Sequence, residues 1–237
     1  VAILAAIGLI IGALSATGLV GSIATDLILL AGGSVYALLL MGAATSFVLG
    51  MGMTVTAAYV FLAIVLAPSL IAAGLNPMAV HLFILYWGML SYITPPVALG
   101  AFAAATISGA TPMQAGFSAM RLGSIIYFIP FFFVLEPALI LEGGLIEITV
   151  ILVSAVIGVA LIAAATQAYL IGFGRLGSGT MGGVSRFLVF VGGVLFAFPG
   201  SDYLGIGHWE GVAAGAVVAA LGLAAARLSR PAGDLAA

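Results

Sequence analysis

Tyr92-Ile93-Thr94-Pro95-Pro96-Val97-Ala98-Leu99-Gly100 sits in the middle of an apolar run, Met78 to Gly109, that carries no charged residue. The run is long enough to cross a bilayer, yet two consecutive prolines stand at its centre. Each proline lacks a backbone N–H, and its ring clashes with the carbonyl four residues back. Each also pushes the residue before it away from helical dihedrals. The sequence therefore predicts a helix that breaks at membrane depth. Backbone groups freed at that depth are tolerated only where protein covers them or where they line a cavity.

Composition agrees with a membrane location. Of 237 residues, 65% are hydrophobic and only 5% charged, against roughly 25% charged in a soluble domain. Twelve charges cannot clothe a solvated surface, and a net charge of −2 gives no sign of nucleic-acid binding. Lys is absent and the five Arg are scattered along the chain, so no polybasic lipid-binding run exists. Without Cys there are no disulfides, thiolate zinc sites or Cys nucleophiles. The chain opens on Val1 inside an apolar run, without a charged leader. It is expected to be the C-terminal part of a longer membrane protein rather than to begin with a signal peptide.

Working outward from the prolines gives a span map. A first segment runs from Val1 to about Val20, followed by Asp26 and Gly32-Gly33. A second covers Val35–Leu49, is interrupted by Gly50-Met51-Gly52-Met53-Thr54-Val55-Thr56, and resumes to Ala72. Asn76-Pro77 reads as a turn, and Thr111 as a helix cap before Pro112. Further spans are expected near Leu122–Leu141, Thr149–Ile171, Phe187–Pro199 and Gly211–Leu228. Arg121, then Arg175 and Arg186, then Arg227 and Arg230 fall at every second loop. The positive-inside rule makes those loops cytoplasmic and the Gly74–Pro77 turn external. The stretch 34–73 then forms either two full spans or a re-entrant hairpin with its tip at Gly50–Thr56, and the glycines and threonines favour the hairpin. The fold class expected is an all-α membrane protein, a multi-span helical bundle with a re-entrant hairpin and a discontinuous helix.

Two constellations carry chemistry. The break at Ser91, Tyr92, Thr94, Pro95 and Pro96 frees carbonyls on one side and offers a helix N-terminus on the other. Carbonyls and hydroxyls suit a hard cation such as Na+, and a helix N-terminus suits an anion. The alternative is a proline kink that only shapes the bundle. Gly50, Gly52, Met53, Thr54 and Thr56 form the second set, where glycine permits close backbone approach and threonine adds oxygens. Its alternative is close helix packing through small residues. Single residues are weaker: Asp26 and His81 read as boundary residues, Tyr86 and Trp87 as core, and Glu136 as an acid near a span end that can snorkel. No G-x-S-x-G, H-E-x-x-H or P-loop pattern is present, and no G-x-G-x-x-G opens a nucleotide fold, so no enzyme is expected.

These same residues resemble a known family. Gly50-Met51-Gly52-Met53-Thr54-Val55-Thr56-Ala57-Ala58-Tyr59-Val60, Leu66-Ala67-Pro68, His81-Leu82-Phe83 and Ile93-Thr94-Pro95-Pro96-Val97-Ala98-Leu99-Gly100-Ala101-Phe102 are similar to the large membrane subunit of TRAP transporters. Gly-Met-Gly with Thr-Pro-Pro-Val-Ala, Arg121-Leu122-Gly123 and Phe133–Leu139 resemble its TAXI-associated branch, in which small and large subunits are fused. The likeness runs from about Gly12 to Glu142 and is thinner beyond Ile146. It implies the second of two inverted repeats in an elevator-type permease of a bacterial or archaeal cytoplasmic membrane. Residues 1–142 would be the transport region, with a hairpin tip near 50–56 and a broken helix over 78–108, and 143–237 peripheral spans. It further implies Na+-coupled uptake of organic acids delivered by a periplasmic binding protein, with the small subunit fused upstream. Carried onto this chain, Gly50, Gly52, Thr54 and Thr94 are candidate Na+ ligands. Met53, Thr56, Ser91, Tyr92, Pro95 and Pro96 are candidate substrate contacts. The competing readings are an ion-coupled carrier that needs no binding protein and a non-transporting membrane scaffold.

Overall fold

A computed structural model describes residues 16–52, 54–177, 179–200 and 207–228, together with 5, 8–10, 12, 13 and 205. Among these the protein is helical apart from one pair of two-residue strands, an all-α membrane protein. It divides into two compact units: Val1–Met120 with Ile129–Val134, and Arg121–Phe128 with Leu135–Ala237.

The first unit contains α1 (Leu19–Leu30), α2 (Val35–Gly52), α3 (Val55–Val65), α4 (Ala67–Ala72) and α5 (Pro77–Met89). A 3-10 turn at Leu90–Tyr92, α6 (Leu99–Ser108), and most of α7 (Pro112–Leu122) and of α8 (Ile129–Leu135) complete it. Local chemistry sets several boundaries. Asn76 Oδ1 accepts from the Ala79 N–H at 3.1 Å, capping α5 with Pro77 in its first turn. Thr111 Oγ1 accepts from Gln114 N–H, and Gln114 Oε1 accepts from Thr111 N–H, a reciprocal cap on α7. The core is apolar and built from α2 to α5, with Leu38, Leu39, Leu62, Leu66, Leu70, Val80, Phe83 and Ile84 essentially fully buried.

Helices α2, α3 and α4 fold as a helical hairpin. A Cβ placed on Gly42 would lie 3.4 Å from Leu66, and these two residues stand equally far in sequence from Thr54, one on each side. The chain therefore doubles back at Thr54. Three expectations are corrected here. Asp26 lies inside α1 rather than beyond a segment end. Gly50 and Gly52 belong to the last turn of α2, so the interruption narrows to the residues around Thr54. The expected span Leu122–Leu141 is not one helix but a 3-10 turn at Ser124–Tyr127, the short α8 and a 3-10 turn at Pro137–Ile140. Gly123, Pro130 and Pro137 divide it, because each proline removes a helical hydrogen bond.

In the second unit, α9 (Leu145–Gln167), α10 (Gly179–Ala197) and α11 (His208–Leu228) are long and apolar enough to cross a membrane. Strands β1 (Tyr169–Leu170) and β2 (Gly174–Arg175) form an antiparallel hairpin between α9 and α10. Small residues let these helices approach backbone to backbone, the packing mode expected where lipid supplies no hydrophobic drive. Ser185 Oγ donates to the Gly222 carbonyl at 2.7 Å, and Gly215 lies against Phe196, so α10 and α11 run antiparallel. Arginines scattered in sequence collect at one end of this unit. Arg121 Nε donates to the Thr166 carbonyl, Arg227 stands 5.2 Å over the Phe173 ring, and Arg175 lies in the strand pair. Glu147 and Glu210 open α9 and α11 at the opposite end.

Candidate functional site

The first unit brings its two helix interruptions together. Along α2 and α5, Gly42 meets Phe83, Phe47 meets Trp87 edge-on at 6.4 Å, and Gly50 meets Gly88. The contacts advance in step, so the two helices run parallel and end at the same level. At the last of these contacts the backbones touch. A Cβ on Gly50 would collide with the Gly88 carbonyl oxygen and lie 3.0 Å from the Gly88 Cα. The hairpin turn at Thr54 and the break at Thr94 thus follow directly after one shared contact.

The break itself has a defined path. Ile93 N–H and Thr94 N–H both donate to the Leu90 carbonyl, at 3.2 and 3.0 Å. Pro95 and Pro96, joined by a cis peptide bond, have no N–H to offer the carbonyls of Ser91 and Tyr92. Ala98 N–H returns to the Thr94 carbonyl at 3.2 Å, and α6 then begins at Leu99. Ala98 adopts φ 35° and is fully buried, a left-handed conformation uncommon outside glycine. Helix α7 closes over this path. A Cβ on Gly116 would fall 2.6 Å from Pro95 Cγ and 3.7 Å from Ala98 Cβ.

Of the residues singled out in the sequence, Ser91 and Thr94 are 3% and 6% exposed. Ser91 Oγ donates to the Gly88 carbonyl at 3.0 Å, so that oxygen lies between the Ser91 hydroxyl and Gly50. Pro95 is half-buried, while Tyr92, Pro96, Thr54 and Thr56 are exposed. The Tyr92 carbonyl faces the first turn of α6, 3.3 Å from where a Gly100 Cβ would be. Thr54 Oγ1 accepts from the Ala57 N–H at 3.4 Å and caps α3. Met53 lies outside the described residues. Two helix C-termini, at Gly52 and Tyr92, turn carbonyls toward one level, and the partial negative charge there favours a cation. Two helix N-termini, at Val55 and Leu99, offer N–H groups that favour an anion.

Several residues at this site give no local signal. Ser46 is fully buried on α2, one turn before Gly50, and its hydroxyl makes no hydrogen bond. Phe131 and Phe133 of α8 pack edge-on against Trp87 and Tyr86 at 5.6 and 5.5 Å, bracing α5 just before the break. Tyr59 of α3 hydrogen-bonds His81 Nδ1 of α5 at 3.2 Å. The His81 ring is thus tied to the hairpin. Glu136 Oε1 accepts from the Ala138 N–H at 3.3 Å and caps the Pro137 turn. Among the described residues no group of three His, Asp or Glu side chains is placed to hold a metal.

Residues 1–148 match the family described as "Tripartite ATP-independent periplasmic transporter, DctM component". No curated protein and no solved structure matches the chain. The matched stretch contains both helix interruptions and ends at the start of α9, and it covers well over half of the sequence. The chain belongs to the DctM component of the tripartite ATP-independent periplasmic transporters, multi-pass membrane permeases for solute uptake rather than enzymes.

Proposed function

We propose that this chain carries half of the substrate and ion site of a Na+-coupled permease that takes up organic acids delivered by a periplasmic binding protein. The observation that supports this best is the backbone contact of Gly50 with Gly88. It sets the hairpin turn and the broken helix beside each other without a charged side chain between them. Inverted-repeat transporters bind at such interruptions, with carbonyl ends for the cation and N–H ends for an anionic substrate.

In this reading Gly50, Gly52, Thr54 and Thr94 supply the oxygens that hold Na+, mostly carbonyls. Thr54 Oγ1 already accepts one hydrogen bond as a cap but has a second lone pair to offer. Ser91, Tyr92, Pro95 and Pro96, with Met53 and Thr56, shape the substrate pocket near the N-terminus of α6. Residues 1–142 form the second-repeat transport region, which moves as an elevator, and the helices after 143 are peripheral. The partners are the binding protein and a small membrane subunit of the TAXI-associated kind. The compartment is the cytoplasmic membrane of a bacterium or archaeon.

The test is solute uptake into liposomes by the full-length transporter with its binding protein, with and without an inward Na+ gradient. Wild type and Thr94→Ala are compared. Uptake that depends on Na+ and fails in a normally folded mutant supports the reading. Uptake indifferent to both the gradient and the mutation removes the break from the coupling mechanism.

A further inference from the structure

The second unit holds a cavity of about 290 Å³ bounded by α9, α10 and α11 at the end away from the arginines. Its wall is formed by Val153, Ile157, Phe196 and Val212, with His208 and Trp209 at the start of α11. The two hydroxyls nearby do not serve it. Thr149 donates to the Leu145 carbonyl at 2.7 Å and Ser154 to the Ile151 carbonyl at 2.9 Å. His208 is different: both ring nitrogens are shielded from solvent and neither has a hydrogen-bond partner. A neutral imidazole carries one donor and one acceptor, and a buried polar group left unpaired is unfavourable.

We propose that this cavity is a lipid site, taking one acyl chain of the surrounding bilayer and setting an ester or head-group oxygen of that lipid against His208. Three features support the occupant. The three helices around the cavity have membrane length, so the cavity lies at bilayer depth. Val153 and Ile157 are also exposed, so the cavity opens sideways onto the face that lipid covers. Trp209 is 68% exposed and stands edge-on to the His208 ring at 5.3 Å. That is a side chain of the type that lies at the head-group level, and the lipid oxygen reaches the shielded imidazole when the indole turns aside. A lipid with its oxygens near Trp209 and its chain running toward Val153 and Ile157 satisfies both ends at once. By the positive-inside rule the lipid comes from the outer leaflet. The inference concerns residues beyond the matched family region and does not depend on the transport reading.

The test reconstitutes the full chain in vesicles of phosphatidylglycerol and phosphatidylethanolamine. These contain a trace of a phosphatidyl lipid with a photoactivatable diazirine on its acyl chain, and the crosslinks are mapped by peptide mass spectrometry. The expected result is labelling several-fold denser on Val153, Ile157, Phe196 and Val212 than on Val184, an exposed residue of α10 outside the cavity. Val153→Trp, which fills the cavity, brings that labelling down to the level at Val184, and His208→Phe lowers it by a smaller factor. The wild-type map tests the proposal even where a variant does not fold. Even labelling of all lipid-facing positions overturns the proposal, and so does dense labelling that survives Val153→Trp in a folded protein.

Discussion

Gly50 and Gly88 touch backbone to backbone, but the contact is one-sided. A Cβ on Gly50 collides with the Gly88 carbonyl, whereas a Cβ on Gly88 meets nothing within 4 Å. Gly50 is a glycine because nothing larger fits, and Gly88 is not under that constraint.

Gly50→Ala and Gly88→Ala should therefore separate. Gly50→Ala forces α2 from α5 and lowers stability by about 1–3 kcal/mol, the usual range for overpacking, and uptake falls with it. Gly88→Ala gains helix propensity of roughly 0.5–1 kcal/mol and leaves uptake near wild type. Melting curves in detergent beside uptake rates test the pair. Equal effects at the two positions would show that the helices are not in register through Gly50.

Gly116 faces Pro95 at similarly close range, but through a side chain. Gly116→Ala places a methyl against the Pro95 ring and should cost about 1–3 kcal/mol. Pro95→Ala removes the ring atoms that collide. The double mutant should then recover part of the Gly116→Ala loss, a coupling of about 0.5–3 kcal/mol between residues in contact. Strict additivity in a double-mutant cycle would mean that α7 does not rest on the break.

How much of this was legible beforehand follows from what local chemistry encodes. Pro95-Pro96 announced the break because a missing N–H acts on its own helix. Asn76 and Thr111 announced caps for the same reason. Gly50–Thr56 announced a turn but placed it too broadly, since glycine permits a helix end without fixing where it falls. The contacts of Gly50 with Gly88 and of Phe131 with Trp87 join residues far apart in sequence, and no local pattern marks them. Periodicity could not supply them either. Where lipid-facing and core-facing positions are both apolar, the hydrophobic stripe that orients a soluble helix is lost. Leu122–Leu141 reads as a span on the same ground, because its apolar content fits one, while Gly123, Pro130 and Pro137 divide it.

Thr54 has an observed role as a cap and a proposed one as an ion ligand. Its hydroxyl caps α3 through the Ala57 N–H, and loss of such a cap typically costs about 1 kcal/mol. Thr54→Ser keeps the oxygen and should hold both stability and Na+-dependent uptake. Thr54→Ala should lose the cap. If Thr54 only caps, uptake of Thr54→Asn, which restores an accepting oxygen, returns to wild type along with stability. If the threonine hydroxyl also holds Na+, stability returns while the Na+ concentration for half-maximal uptake stays raised. The second outcome is the one expected.

Ser46 offers a prediction of opposite sign. Its hydroxyl is fully buried between the Gly42 and Gly50 positions of α2 and has no hydrogen-bond partner. A buried unsatisfied polar atom costs about 1–3 kcal/mol, and alanine removes the atom with little change in volume. Ser46→Ala should therefore raise the melting temperature and leave Na+-dependent uptake unchanged. Gly42→Ala serves as a packing control, since its methyl would meet Leu66 and Phe83 at ordinary contact distance and should shift stability little. A stabilised Ser46→Ala protein with normal uptake identifies the hydroxyl as a packing cost of bringing α2 against α5. Loss of uptake in a stabilised protein would instead place Ser46 on the ion path, one helical turn before the contact of Gly50 with Gly88.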